Sequence, residues 1–154
     1  MDPPPRLRSL HDQDSIKGGM DRITGLNHVT LAIADLDRSV MFYTGLLGFS
    51  IRMRTLSSAY LESGTLWLAL VVDANARRGP LPEYSHLAFS VARSELLALT
   101  TSLTNSGIKR WQESDNADSF YFLDPDGHKL ELHSGDLRRR LTTRAGEPGV
   151  TIYE

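Results

Sequence analysis

SFYFLDPDGHKLELHSGDLRRR, residues 119–140, decides the reading of this chain. Two short alternating segments meet at a Pro-Asp-Gly turn and run on into three consecutive arginines. Side chains two apart in a strand share a face, so Ser119 and Tyr121 point one way while Phe120 and Phe122 point the other. After the turn Glu131 and His133 share a face, with Leu130 and Leu132 behind them. The polar faces can converge on a pocket while the apolar faces pack on helices. A carboxylate on the polar wall needs partners, and the upstream chain has to supply them.

Working back, residues 25–49 read GLNHVTLAIADLDRSVMFYTGLLGF, an alternating strand, a polar break and a helix. Asp35 or Asp37 can cap that helix, Leu36, Val40, Tyr43 and Leu47 recur at helical spacing, and Gly48 is a stop. Strands are expected at 49–55, 60–62 and 65–72. Residues 73–83 hold Arg77, Arg78, Gly79, Pro80 and Pro82, the chemistry of a connector. The pattern then resumes with a strand at 84–91 (YSHLAFSV) and a helix at 94–106 with Leu96, Leu99 and Leu103 on one stripe, stopped by Gly107. Strands near 109–112, 119–123 and 129–133 complete the second unit.

Each half is therefore β, α, β, β, β. His28 and His86 lie early in the first strand of their units, and a glycine follows each helix at a similar distance, which marks an internal duplication. The expected fold class is α+β: paired βαβββ modules whose mixed sheets curve around a shared cleft. Residues 1–20, with Pro3, Pro4 and Pro5 and few apolar side chains, read as a mobile N-terminal extension. Residues 21–154 read as one domain, with modules at about 23–73 and 84–134 and a C-terminal helix and tail at 135–154.

With 17 Lys+Arg against 19 Asp+Glu, the net charge of -2 offers no overall basic field for nucleic acid or membrane. No apolar run approaches the ~20 residues of a membrane span, nor does the start resemble a secretory signal, so a cytoplasmic location is expected. The chain has no cysteine. Disulfides, thiolate ligands and an enzyme-borne thiol nucleophile are thereby excluded, and any thiol chemistry would use sulfur brought by a substrate.

His28, His86 and Glu131 each fall on an expected strand opposite bulky apolar neighbours, and Thr30 shares the face of His28. Two imidazoles and a carboxylate in one cleft make a facial site for a divalent first-row metal with open positions. Taken singly, a strand histidine is more commonly a satisfied core or surface residue than a ligand; the duplication is what places two at equivalent points. His133 shares the face of Glu131 and either orients it or is a plain strand-end residue. His11 falls in the extension, and His128, after the turn glycine, is expected to face solvent. Trp67, Tyr60 and Tyr84 read either as cleft lining or as aromatic core. Arg140 reads either as a bidentate clamp for an anion or as a solvated helix face.

GLNHVTLAIADL, the WLAL strand, YSHLAFSV and above all SFYFLDPDGHKLELHSGDLRRRL resemble the fosfomycin-resistance thiol transferases (FosA type) of the vicinal-oxygen-chelate superfamily, over residues 25–140. The resemblance implies a homodimer in which the metal takes one His from one subunit and the other His plus the Glu from its partner. Carried over, the ligands are His28, His86 and Glu131, around Mn²⁺. Thr30 would lie beside the oxygen that develops charge as the epoxide opens. Ser119, Tyr121 and Arg140 would hold the phosphonate, Trp67 and Tyr84 would shape the pocket, and Tyr60 would lie towards the thiol, glutathione being the expected one. The loop WQESDNADS departs from the glutathione-using branch: Gln112 stands where a lysine falls and Ala117 replaces a glycine, which puts a K⁺ site in doubt.

Four other readings compete. A fosfomycin epoxide hydrolase would need an acid where Ser58 stands, Glu62 being the only one nearby. A glyoxalase would need a fourth ligand, for which Asp73 comes late. A ring-cleaving dioxygenase would not need the Ser119, Tyr121 and Arg140 cluster. A metal-free drug-binding protein would not need three matched ligands.

Overall fold

The computed structural model describes residues 22–114 and 116–153; the extension expected at 1–20 lies outside the described residues. Strand β1 (His28–Ile33) leads into α1 (Leu36–Met41), whose N-terminus is capped by the Asp35 carboxylate accepting from the Arg38 N–H at 2.9 Å. The helix then widens into a π-helical stretch (Phe42–Leu46) that buries both Phe42 and Tyr43. Strands β2 (Ser50–Arg54), β3 (Ser58–Ser63) and β4 (Leu66–Val72) complete the first module. Its sheet order is β1-β4-β3-β2, with β1 parallel to β4.

The second module repeats the plan with β5 (Leu87–Ser90), α2 (Arg93–Asn105), β6 (Ser119–Leu123) and β7 (Lys129–His133), ordered β5-β7-β6 with β5 parallel to β7. The duplication and the curved mixed sheets are as the sequence implies. The strand expected at 109–112 does not form. Gln112 makes one isolated bridge to Tyr121, and the Leu123 N–H reaches the Lys109 carbonyl at 2.9 Å. An Arg110–Glu113 ion pair (2.8 Å) and a Ser114–Asn116 turn curl the chain away before a ladder can extend. A third helix, α3 (Leu137–Arg144), is capped by Asp136 and has no buried residue.

One apolar cluster draws on both modules. Leu61, Leu68 and Leu70 from the first sheet join Phe120, Phe122, Leu130 and Leu132 from the second, with Phe42 and Leu103 from the helical layer. Strand alternation therefore leaves the opposite faces of both sheets to the polar residues.

The Pro-Asp-Gly turn is a buried polar lock between the modules. Asp126 accepts from the Ala34 N–H and Arg38 Nη2, each at 2.9 Å, and from Ser39 Oγ at 3.3 Å. Asp124 accepts from the Tyr43 hydroxyl (2.8 Å), the His128 N–H (2.8 Å) and His128 Nδ1 (2.8 Å). Burial alone would raise the Asp124 carboxyl, but the His128 side chain and N–H and the Tyr43 hydroxyl outweigh it and hold it below the usual carboxylate range. Burial, then the Asp124 charge, pushes the Tyr43 phenol well above its ordinary value. His128, expected to face solvent, is buried instead. Its turn tucks against the connector: Gly127 has φ +91°, and a Cβ there would come within 2.3 Å of the Gly79 carbonyl carbon.

Candidate active site

Register sets the polar wall of the second sheet. Ser119 pairs with His133 and Tyr121 with Glu131, so these four share one face, while Phe120 opposite Leu132 and Phe122 opposite Leu130 fill the core. Glu131 is buried, with Oε2 3.0 Å from His86 Nε2 and Oε1 3.2 Å from His133 Nδ1. Ser119 Oγ lies 2.8 Å from the same His133 Nδ1. His133 therefore touches both Ser119 and Glu131. Burial, opposed by the Ser119 hydroxyl and reinforced by the Glu131 charge, raises the Tyr121 phenol, so it stays a neutral donor.

The electron pairs on this wall fit a cation. His86 Nδ1 lies 3.1 Å from the Tyr84 carbonyl, which only accepts, so Nδ1 carries the hydrogen. Nε2 then directs its lone pair at a carboxylate oxygen 3.0 Å away. A proton or a divalent ion between the two resolves that opposition, and an Nδ1–H anchored on a backbone carbonyl is the usual support for a metal-binding imidazole. His28 is prepared in the same way: its Nδ1 faces Asn27 Oδ1 at 2.7 Å, leaving Nε2 outward.

His28 stands on the outer face of the first sheet, its ring 4.4 Å from Trp67, with Tyr60 5.0 Å beyond Trp67. Thr30 pairs with Ala69, and Ala69 with Tyr60, so Thr30 and Tyr60 share that face. Glu62 is drawn aside into an ion pair with Arg52 at 2.5 Å. Among the described residues of one chain no three His, Asp or Glu side chains gather as a metal site. His86 and Glu131 meet; His28 belongs to the other sheet.

Around His86 runs an aromatic wall. Tyr84 is 5.3 Å from the His86 ring, Trp111 is 5.4 Å from it and 5.1 Å from Tyr121, and Trp111 Nε1 donates to the Leu130 carbonyl at 3.0 Å. Gln112 Nε2 donates to the Tyr84 hydroxyl at 3.2 Å. Trp111 and Gln112 join this wall through the isolated bridge from Gln112 to Tyr121, which apolar periodicity does not register. Arg140, on exposed α3, lines a depression of about 100 Å³ with His133, Gly135 and Asn116. Its neighbour Arg139 reaches Asp118 at 3.1 Å. In the loop, Ser114 Oγ donates to the Asn116 carbonyl and Asn116 Oδ1 accepts from the Asp118 N–H, so these groups bond to their own backbone.

Duplicated modules, each a strand, a helix and antiparallel strands in a mixed sheet, with imidazole and carboxylate donors on their outer faces, define an α+β protein of glyoxalase type. The chain belongs to the Glyoxalase/Bleomycin resistance protein/Dioxygenase superfamily, whose family model matches residues 25–132, and within it to the family of the Fos transferases. It is 43% identical to glutathione transferase FosA of Serratia marcescens over 129 residues, covering 82% of this chain and 92% of that protein. Metallothiol transferase FosB of Staphylococcus haemolyticus is 33% identical, with 85% of this chain and 99% of that protein covered. A variant of the fosfomycin resistance protein FosX of Listeria monocytogenes, solved with Mn(II) and 1S,2S-dihydroxypropylphosphonic acid, superposes with a TM-score of 0.66 at 26% identity, covering 78% of this chain and 98% of that one.

Proposed function

We propose that this protein inactivates fosfomycin by adding a small thiol, glutathione, to its epoxide, with a divalent metal held by His28, His86 and Glu131. The observation that carries this reading is the 43% identity with glutathione transferase FosA across nearly all of that protein. The donor chemistry supports it, because both histidines present Nε2 and a buried carboxylate faces one of them. Mn²⁺ is our choice of ion, in keeping with the FosX complex. When bound, it supplies Lewis-acid activation of the epoxide oxygen.

The chain's own residues do the rest. A phosphonate dianion calls for hydroxyl donors and an arginine fork, the parts that Ser119, Tyr121 and Arg140 offer. Thr30, on the face of His28, would donate its hydroxyl to the oxygen that develops charge. Trp67 and Tyr84 would wall the pocket, and Tyr60, its ring 5.0 Å from Trp67, would flank the approach of the thiol. Because the chain has no cysteine, the nucleophile is external, and its ordinary pKa of about 8.5 makes holding a thiolate near positive charge part of the catalytic work.

We take the assembly to be a homodimer, with His28 of one protomer completing the His86 and Glu131 pair of the other. We place the protein in the cytoplasm, where glutathione is available, and no helix among the described residues is long and apolar enough to cross a membrane.

Incubation of the purified protein with Mn²⁺, glutathione and fosfomycin, followed by mass spectrometry, is expected to yield the glutathione adduct. No adduct with any common thiol would end the transferase reading. A diol formed without thiol would make the protein a hydrolase instead, a role for which Glu62 is poorly placed while Arg52 holds it.

A further inference from the structure

We propose that His133 is a positioning residue that couples the two ends of the site, fixing Glu131 as a metal ligand and Ser119 as a hydrogen-bond donor through a single ring nitrogen. The inference rests on the reading of Glu131 and Ser119 given above.

Its Nδ1 lies 2.8 Å from Ser119 Oγ and 3.2 Å from Glu131 Oε1. A carboxylate oxygen only accepts, so a lone pair on Nδ1 would oppose it, and Nδ1 must carry the hydrogen. Ser119 Oγ is then an acceptor towards His133, and its own hydrogen turns outward, where an anionic oxygen can receive it. The same N–H lies against Oε1 of Glu131 as a close electrostatic contact rather than a hydrogen bond, and leaves Oε2 to the His86 side, 3.0 Å away. One tautomer thereby sets a donor for the anion and a lone pair for the metal.

The ring is also held from behind. A Cβ at Gly135 would lie 2.7 Å from His133 Nε2, so the imidazole occupies space that any other residue at 135 would take. Gly135 does not have a positive φ, which leaves this close approach as the reason for glycine. On its open side His133 lines the same small depression as Arg140, one of the proposed anion contacts. A strand-end histidine with a merely structural role would need neither the shared nitrogen nor the glycine behind it.

Three variants test this. His133→Phe keeps the ring volume and loses the donor; His133→Asn restores an N–H near the Nδ1 position; Gly135→Ala retains the histidine but displaces it. Mn(II) affinity is read by electron paramagnetic resonance titration, and KM for fosfomycin and for glutathione separately, with thermal midpoints checking that each variant folds. We expect His133→Phe and Gly135→Ala to weaken Mn(II) binding by about tenfold to a hundredfold and to raise the fosfomycin KM, with the glutathione KM unmoved. His133→Asn should recover most of both losses. Wild-type Mn(II) and fosfomycin binding in folded His133→Phe would overturn the proposal, as would an Asn variant no better than Phe. A wild-type protein that binds no Mn(II) would instead remove the reading beneath it, and the proposal with it.

Discussion

Asp124 and Tyr43 share one hydrogen bond across the two modules, and their ionisations pull stability in opposite directions on the pH scale. The folded value of Asp124 lies below its unfolded value of about 3.9, so its contribution is complete above that pH and is lost as pH falls through the depressed folded value. Tyr43 is raised well above about 10, so its contribution is complete below that pH and is lost as pH climbs past it. Thermal midpoints of the wild type should therefore fall at both extremes, Asp124→Asn should flatten the acid limb, and Tyr43→Phe the alkaline limb. Tyr43→Phe should also cost about 1–3 kcal/mol at neutral pH by leaving Asp124 one donor short; an unchanged midpoint would contradict the lock. At this scale the strand faces that carry His28 and Glu131 were legible, because alternation and duplication point to faces, which are local properties. The burial of His128 was not, because it depends on how deeply a turn enters a neighbouring module.

Helix α3 is held by few contacts, and Asp118 is the residue that ties it down. Its carboxylate meets Arg139 of α3 at 3.1 Å, also pairs with Arg93 at the start of α2, and accepts from Ser134 Oγ at 3.3 Å. Asp118→Asn should therefore speed amide exchange across Leu137–Arg144 by up to roughly fivefold, the factor matching the upper ~1 kcal/mol of an exposed ion pair, with core strands unaffected. Equal exchange in both proteins would show that the tether contributes nothing. Both modules' helices and six of the seven observed strands were readable close to their bounds from apolar periodicity, capping residues and glycine stops. The start of β5 shifted from 84 to Leu87, and the strand at 109–112 shrank to one bridge. Propensity does not register the Arg110–Glu113 pair and the Ser114 turn that divert that segment.

For the molecule as a whole, sheet order keeps β1 and β5 apart, so one chain brings together two of the three proposed ligands. Mixing refolded His28→Ala and Glu131→Ala chains discriminates the shared site from a site within one chain. Half of the dimers would be hybrids with one intact site of two, restoring roughly a quarter of wild-type activity, while a site within one chain would restore none. The duplicated fold was visible in the sequence because each module repeats its own local pattern. How the two modules divide the ligands was implied by resemblance alone, since pairing between distant elements leaves no periodic trace.

The most direct test of metal-dependent thiol transfer is a titration of metal-free protein with Mn²⁺ in the presence of glutathione and fosfomycin, following the adduct. The rate should rise from zero and saturate near one equivalent of Mn²⁺ per chain, and His86→Ala should remain at baseline. Adduct formation that is independent of metal, or equally fast in His86→Ala, would contradict the account.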